Sequence, residues 1–429
     1  MSNNFSIIKL SFFGACILVS SQLFSQKRYT IGQLYEWAIE NAAVTRGMAL
    51  TEQNSDLQTR IANVANYPQI SINGQSTYQS DVTSLPIKIP NINVQETSKD
   101  QYKLVLDVQQ LIYNGGIVNL QKKIVRSNAD SEKQQTLVEQ AKLRDRILQV
   151  YAILLSYTPQ KKVLDLTKDD LDRVLSKVKA QFENGISFQS HVWNLEAEIK
   201  KWEQRMIELE AQRSSSIKAL ELYTGRDLDD NALFAEEEFQ VNIGDSKNIR
   251  PEWQLFQIQR SSLDLKSKSI TAKRKPFVGL FAQGAYGRPG LNFLNNEFQF
   301  YYIAGVKAQW NLTPFYTTKK EKSIVELQKS MVQIQEDQYK MANDVQITGL
   351  REDLKKLDDI LVKDQELIDL RTKIKRATEA QLEQGVITSA DYVRELNAEE
   401  NARQMKGLHE TQKEVISIQL KNALGIYEK

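Results

Sequence analysis

Cysteine, histidine and proline are all scarce in this chain, and each scarcity removes a class of structure. The one cysteine, Cys16, lies in an apolar stretch near the start, so the rest of the chain forms no disulfide bond. The only histidines, His191 and His409, stand far apart, which gives no basis for a metal site built from histidine and cysteine. With eight prolines in 429 residues, long stretches can remain helical without interruption.

Strong net charge and catalytic motifs are absent as well. Lys and Arg number 56 against 54 Asp and Glu, so the net charge of +2 provides no field that would favour nucleic acid as a partner. The sequence has no glycine-rich phosphate loop, no nucleophile elbow and no isolated pair of carboxylates. The acidic run Glu236–Glu238 is more typical of a solvated loop than of a calcium site. These features predict a protein that is not an enzyme and holds no cofactor or metal.

The first 25 residues have the pattern of a secretory signal peptide. Lys9 precedes an apolar run over residues 10–19, and polar residues then lead to the small residue Ser25, after which cleavage is expected. A membrane anchor is the weaker interpretation, because the run falls short of the ~18 apolar residues that a spanning helix needs. Lipidation at Cys16 is a second alternative, but Phe13 stands where a lipoprotein signal usually has leucine.

The main body of the sequence repeats itself at an offset of 200 residues. The segment QFENGISFQSHV at residues 181–192 corresponds to QLEQGVITSADY at residues 381–392. One period of half a chain indicates a duplicated domain rather than a solenoid. We therefore expect a first structural repeat over residues 26–225, a connector over 226–249 and a second repeat over 250–429.

Four segments alternate between apolar and polar residues, two in each repeat. They cover residues 68–79 and 102–113 in the first repeat and 277–286 and 298–310 in the second. Each has about the length of a tilted membrane-spanning strand, and aromatic residues crowd the ends of the last one, as they do at membrane interfaces. A soluble hairpin with one face on a core gives the same alternation, but the long flanking helices and the signal peptide favour the membrane.

Each strand pair is followed by a helical stretch of unusual length. Residues 117–184 and 317–384 contain few helix breakers, and at 1.5 Å per residue each would extend ~100 Å. No globular core can use a helix that long. Pro159 predicts a kink or a local break in the first of them.

Shorter helices complete each repeat. After the glycine that marks a turn, a return helix of about 40 residues is expected to end at Gly225 in the first repeat and at Gly425 in the second. A further helix is predicted over residues 31–65, with Thr30 as its N-cap.

Four strands cannot close a membrane barrel, since the smallest closed barrels have about eight. An open sheet edge in lipid would leave backbone groups unpaired at a cost of several kcal/mol each. Helices of ~100 Å also need partners for their apolar stripes. The sequence thus predicts a mixed α and β membrane protein. Several copies must share their strands, and three copies would give a twelve-stranded β-barrel that a long α-helical barrel continues.

The order and spacing of these features resemble those of the TolC family of outer-membrane efflux and export channels. The resemblance covers essentially all of the mature sequence. The residues that carry it are Tyr67-Pro68 and Lys275-Pro276 before the strand pairs, Leu111–Gly116 and Trp310–Phe315 after them, the two glycine-led turns, Arg250–Trp253 and the final Ala423-Leu424-Gly425. It implies a homotrimer in outer-membrane lipid, with a helical tunnel across the periplasm and an equatorial belt formed by the connector and the termini.

In that family the glycine-led turns form the periplasmic tips, where the tunnel closes and a periplasmic adaptor (membrane fusion) protein docks. Carried over to this sequence, the tips are residues 185–192 and 385–393. The docking residues implied are Gly185, Ile186, Ser190, His191, Gly385, Val386 and Ser389. His191 stands where the first tip would carry an acid, and a solvated turn histidine is favoured over one that responds to pH.

The resemblance also implies a pore constriction at the second tip. Asp391 matches a family aspartate that faces the constriction, where a ring of three carboxylates would attract cations. A carboxylate that stabilises the start of a helix is the alternative reading of the same residue. Arg394 stands where some relatives carry a second aspartate, so Asp391 and Arg394 can pair instead.

The function expected from the sequence is that of a passive exit duct in the outer membrane. It would complete a tripartite efflux or type I secretion system whose energy comes from an inner-membrane pump or ABC transporter, because this chain has no means to bind a nucleotide. The alternative is a secreted or periplasmic scaffold of helical hairpins without channel activity, in which the strands form a soluble sheet.

Overall fold

Long helices and one four-stranded sheet dominate the computed structural model, which describes residues 27–83, 97–234 and 250–427. The elements in chain order are β1 (Arg28–Tyr29), α1 (Ile31–Asn41), α2 (Ala43–Asn63), β2 (Gln69–Tyr78), β3 (Asp100–Tyr113), α3 (Ile117–Glu183), α4 (Gln189–Thr224), β4 (Leu233–Phe234), α5 (Pro251–Ala272), β5 (Phe277–Arg288), β6 (Gln299–Gln309), α6 (Pro314–Glu383) and α7 (Ser389–Leu424). The four long strands begin and end within two residues of the predicted segments. The predicted signal peptide, Cys16 and Glu236–Glu238 lie outside the described residues.

The sheet is an antiparallel meander in the order β2-β3-β5-β6. Its register sets Ile72 opposite Leu106, Leu106 opposite Gly284, and Gly284 opposite Tyr302, so one row of residues crosses all four strands. Because residues two apart share a face, the even-numbered residues of every strand lie on the same side. This apolar face consists mainly of Ile70, Ile72, Tyr78, Tyr102, Leu104, Leu106, Val108, Leu280, Ala282, Tyr286, Phe300, Tyr302, Ala304 and Val306.

The apolar face of the sheet is uncovered. Ile72 is 71% exposed and Tyr302 is 82% exposed. The opposite face carries polar residues such as Ser71, Asp107 and Gln283, which lie side by side across three strands. A sheet of this kind has its hydrophobic surface on the outside, the reverse of a sheet that packs on a soluble core.

The helices continue the order of the strands. α2 packs on α3, α3 on α5 and α5 on α6, so the four strands lead into a layer of four helices. α3 has 67 residues and α6 has 70, and each is therefore ~100 Å long. Far from the sheet, α4 returns along α3 and α7 returns along α6, which gives two long helical hairpins.

The main hydrophobic core lies at mid-height, where α1, the middle of α3, the end of α4 and the small parallel sheet β1-β4 meet. Leu34, Ile147, Tyr151 and Leu220 are fully buried there. The Tyr151 hydroxyl donates a hydrogen bond of 3.2 Å to the Tyr29 carbonyl, which satisfies the one polar atom of that ring. The core packs the start of the chain, β1 and α1, against the middle of α3 and the end of α4.

The helix predicted over residues 31–65 is in fact two helices. Thr30 caps α1 as predicted, in a capping box with Gln33, but α1 ends at Asn41 and α2 begins at Ala43. The Asn41 side chain donates to the carbonyls of Leu222 and Tyr223 at the end of α4, at 3.4 and 3.1 Å. A contact with residues about 180 positions away therefore stabilises the interruption.

Of the kink or local break predicted at Pro159, the local break is wrong, because α3 continues past that residue. The pyrrolidine ring lies against Gly407 of α7, where an added Cβ would come within 3.0 Å of the proline Cβ. One missing backbone hydrogen bond is a small loss in a helix of 67 residues that is packed along its length. The glycine makes room for the proline, and the helix stays whole.

Gly225 ends α4 in the left-handed region, with a φ of 66°, as predicted for a C-cap. A Cβ on this residue would lie 2.7 Å from the Asn41 side chain.

We predict that Gly225→Ala lowers the free energy of unfolding by about 1–2 kcal/mol, because it adds backbone strain and displaces Asn41. The urea midpoint, followed by circular dichroism, measures the change. Gly349→Ala in α6, where a Cβ meets nothing within 4 Å, is the control and should not destabilise; equal losses in both variants would contradict the prediction.

Candidate functional site at the hairpin turns

The two helical hairpins turn in the same way. Gly185 and Gly385 have φ values of 73° and 72°. In the first turn Ile186 N donates to Gln181 O at 2.8 Å, and in the second Val386 N donates to Gln381 O at 2.9 Å. No atom lies within 4 Å of a Cβ built on either glycine, so the backbone angle alone accounts for glycine there.

The helices that follow the turns begin differently. Thr388 caps α7 in a capping box, with its hydroxyl accepting from Asp391 N and the Asp391 carboxylate accepting from Thr388 N at 3.2 Å. At the start of α4 the N-cap position is Phe188, which provides no such bond. His191 instead lies 3.3 Å from the Ser187 hydroxyl and contacts the edge of the Phe188 ring. The two tips are therefore alike in backbone but not in chemistry.

The structure shows Asp391 in one of the two roles that the sequence left open for it, that of a carboxylate at the start of a helix. Hydrogen bonds from the hydroxyl and then the backbone N–H of Thr388 lower the pKa of its carboxyl, with a smaller contribution from Arg394. Arg394 lies 3.5 Å from Asp391 and also contacts Glu395. Asp391 is thus a capping residue that stays ionised at the surface of the tip, and it forms a loose pair with Arg394.

Most of the predicted docking residues are at the surface, and one is not. Ile186 and Val386 are 72% and 69% exposed, and Phe188, which the sequence analysis did not single out, is 75% exposed. Ser389 is only 1% exposed, because it lies between the hairpins with its hydroxyl 3.4 Å from Asn194 Nδ2. Its predicted docking role is therefore corrected to a contact between α4 and α7.

A compact apolar cluster joins the two hairpins just behind the turns. Tyr392 and Leu195 are fully buried in it, one from each return helix. Burial raises the pKa of the Tyr392 hydroxyl above its ordinary value. The remaining buried members are Leu171, Val174, Val178, Val192, Leu382, Val393 and Leu396. The tip of each chain is one packed unit of four helices rather than two free hairpins.

Charged pairs between the two repeats surround that cluster. Arg173 of α3 pairs with Glu379 of α6, and Asp170 of α3 pairs with Lys375 of α6. Lys177 contacts Glu379 at 3.3 Å. All these residues lie within four turns of the tips, so the pairs fix the inclination of α3 relative to α6 where the hairpins end.

Glu399 lies under these pairs and is only 2% exposed. Burial opposes ionisation of its carboxyl, but hydrogen bonds from Lys375, Thr372 and Arg403 outweigh that effect and lower its pKa. The Thr372 hydroxyl donates at 2.6 Å and the Arg403 guanidinium at 2.7 Å. The ionised form of Glu399 is therefore the one that the folded chain stabilises.

Its neighbour Glu400 is equally buried, but its pKa shifts the other way. Burial is the largest influence and raises the pKa of this carboxyl, although Arg205 of α4 opposes the shift. Gln404 donates to it at 2.9 Å. The sequence analysis missed both glutamates; the available signal was that they fall on the buried side of α7, seven and eight residues after Tyr392.

These opposite shifts give a paired prediction. Glu399→Gln should lower the free energy of unfolding at pH 7 by about 1–3 kcal/mol, because it replaces a charged acceptor of three hydrogen bonds. A lowered pKa adds stability above the unfolded value and loses it as the pH falls, so the deficit should shrink in acid. Glu400→Gln should leave the urea midpoint unchanged or raise it at pH 7, because ionising Glu400 costs stability as the pH rises above its unfolded value. Equal losses in the two variants at pH 7 would refute this assignment.

The described residues contain neither a membrane-spanning helix nor a cluster of metal ligands. No helix in residues 27–83, 97–234 and 250–427 is both long and apolar enough to span a membrane. No three His, Cys, Asp or Glu side chains in the same ranges are grouped so that they could hold a metal ion.

Comparison with known proteins identifies the fold. Residues 34–226 match the family model described as outer membrane efflux protein, and no curated protein matches in sequence. The outer-membrane channel OprN is 12% identical with a TM-score of 0.69, over 92% of this chain and 89% of that one. CusC is 14% identical with a TM-score of 0.69, over 92% and 91%, and VceC of Vibrio cholerae is 14% identical with a TM-score of 0.67, over 92% and 96%.

At 12–14% identity, the likeness to solved structures establishes the fold. The match to the family model is a separate result, because it compares sequences. The mixed fold with long helical hairpins that the sequence predicted is confirmed, and the description of the family agrees with the predicted outer-membrane location. The resemblance to the TolC family is therefore confirmed by a sequence match over residues 34–226 and by a fold shared with solved outer-membrane channels over 92% of the chain.

Proposed function

We propose that three copies of this protein form the passive exit duct of a tripartite efflux or type I secretion system. The observation that carries the proposal is the incomplete sheet. β2 and β6 each have only one partner strand within the described chain, and the face between them is apolar and exposed. A bilayer satisfies the face, but only further strands satisfy the edges.

Apolar stripes on the outer helices support closure by copies of the same chain. On α6, below β6, the exposed residues follow a heptad spacing: Leu327, Met331, Ile334, Met341 and Val345. On α2, below β2, they are Leu50, Leu57 and Ile61, and Val64 follows directly after the helix. The β2 and α2 edge of one copy would meet the β6 and α6 edge of the next, a head-to-tail contact that closes into a ring.

Three copies satisfy both requirements together. Twelve strands are enough to close a barrel, and the polar face of the sheet would then line a water-filled lumen. The division into two repeats and a connector is part of this proposal, since each repeat supplies one strand pair and one helical hairpin. The scaffold alternative leaves the apolar face without any partner.

The tips are the proposed contact with the rest of the machine. Ile186, Phe188 and Val386 form exposed apolar points on otherwise polar turns, as expected of a surface that a periplasmic adaptor covers. An inner-membrane pump or ABC transporter would supply the energy.

The first test is assembly with conductance. The mature protein reconstituted in a planar bilayer should form trimers that conduct ions. Leu327→Glu with Ile334→Glu should abolish both, because two charges would be buried in each subunit contact. Gln335→Glu with Gln346→Glu adds the same charges to exposed positions away from the stripe. This control variant should still form trimers and conduct ions. A wild-type protein that stays monomeric and soluble without detergent would contradict the duct.

The second test concerns the pore constriction. If three Asp391 carboxylates face one another across the lumen, Asp391→Asn should reduce the permeability ratio of cations to anions severalfold, since the lowered pKa keeps the ring ionised at neutral pH. Asparagine keeps an oxygen for the Thr388 N–H, so the cap is preserved. The control is Asp369→Asn on the exposed side of α6. Selectivity equal to that of the wild type would leave Asp391 with its capping role alone.

A further inference from the structure

Positive charge is concentrated where the strands join the helices. Four stretches of thirteen residues lie at this junction: 56–68, 114–126, 264–276 and 310–322. Together they contain twelve Lys or Arg and only three Asp or Glu, in a chain whose totals are 56 and 54. We call these residues the basic belt. The near-neutral net charge of the protein therefore hides a strong local excess at one height.

Most cations of the belt are not used in ion pairs. Within the described residues, Arg60 pairs with Asp56 and Lys273 lies 4.0 Å from Glu321, whereas the other ten basic side chains of the belt form no ion pair. Lys122 contacts only an amide oxygen, that of Asn63 at 3.2 Å. Unpaired cations so close together repel one another, which is stable only where anions or solvent compensate them.

A ring cluster places part of the belt on the outer side of the sheet. Trp310 continues the alternation of the apolar face beyond β6, and its indole N–H donates to the Arg274 carbonyl at 2.9 Å. Phe315 lies edge-on to Trp310, with ring centroids 6.0 Å apart. The Arg274 guanidinium lies over the Phe315 ring, with its Cζ 4.1 Å from the ring centroid. Aromatic rings backed by a cation are typical of the boundary between acyl chains and headgroups.

Helical spacing brings further cations to the same side. Lys319 and Lys322 follow Phe315 by four and seven residues, so they lie below it on one face of α6, one and two turns farther from the sheet. Lys122 holds the position of Lys322 in the first repeat, at the offset of 200 residues. With Lys123 and Arg126 it lines a groove between α2 and α3.

We propose that the basic belt binds the anionic headgroups of phospholipids in the membrane leaflet that faces the helices. The apolar face and its aromatic boundary set the depth of the sheet, and Lys319, Lys322 and Lys122 lie where the phosphate groups begin. The inference rests on the proposed function, because it requires the sheet to stand in a bilayer. Phospholipid is favoured over a protein partner because the cations directly adjoin the lipid-facing surface on both repeats.

The test measures which lipid surrounds Trp310. The full mature protein is reconstituted in phosphatidylcholine vesicles that contain brominated phosphatidylglycerol or, in parallel, brominated phosphatidylcholine. Bromine quenches tryptophan at contact distance, and subtraction of the Trp310→Phe signal isolates this residue. We expect the anionic lipid to bind beside Trp310 about fivefold more strongly than the zwitterionic lipid. High salt should reduce the preference.

The matched variants lie on one helix. Lys319→Gln with Lys322→Gln should remove most of the preference, whereas Lys340→Gln with Lys355→Gln, the same charge change at exposed positions roughly 27 Å or more farther along α6, should keep it. Equal quenching by both lipids in the wild type would overturn the inference and leave the channel intact. Loss of the preference in the control variant, or its persistence in the Lys319/Lys322 variant, as expected if the belt serves a protein, would also overturn it. No quenching by either lipid would show that the sheet is not in the bilayer, which refutes the proposed function itself.

Discussion

Backbone groups at the edges of a sheet must find hydrogen-bond partners, and that requirement determines how the rest of this molecule is arranged. Within the described part of the chain β2 and β6 are the edges of the sheet, and the helices α2 and α6 continue directly below them with their apolar stripes exposed. A single rotation axis that relates the copies can therefore pair the edge strands and bury the apolar stripes of the helices at the same time. A chain whose helices did not follow the strand order would need separate partners for its two parts, and no single assembly would complete both.

Duplication explains why the two hairpins end together, but the repeats have diverged at that end. α3 and α6 differ by only three residues in length, so the two turns arrive at nearly the same height and the buried cluster can form behind them. One turn is held by a charged capping box and the other carries an exposed phenylalanine. If three copies assemble as proposed, an adaptor that docks on their six tips would meet two alternating surfaces, which would give the contact a fixed register around the ring.

The parts of the fold that follow from local pattern were predictable from the sequence. Alternation located four strands, low breaker content located the long helices, and the glycine pair located the turns. The failures involve distant residues. Asn41 ends a helix because it caps α4, and Pro159 does not end one because Gly407 leaves it room. Glu399 and Glu400 could not be found for the same reason, since the opposite pKa shifts of these adjacent glutamates depend on burial against other helices and on side chains such as Lys375, Thr372 and Arg205 that those helices contribute.

Net composition can exclude a partner for the whole molecule without excluding a local field. The balance of charges argues against nucleic acid, yet cations gather at the one height where the apolar sheet gives way to polar helices. Strands of ten to fourteen residues, tilted as barrel strands are, cover about the ~25 Å of an outer-membrane apolar band. The aromatic cluster around Trp310 then falls at its lower boundary, and the next turn of α6 falls among headgroups. Charge placed there opposes any vertical slip of the sheet, because moving up would bury lysines in hydrocarbon and moving down would expose the apolar face to water.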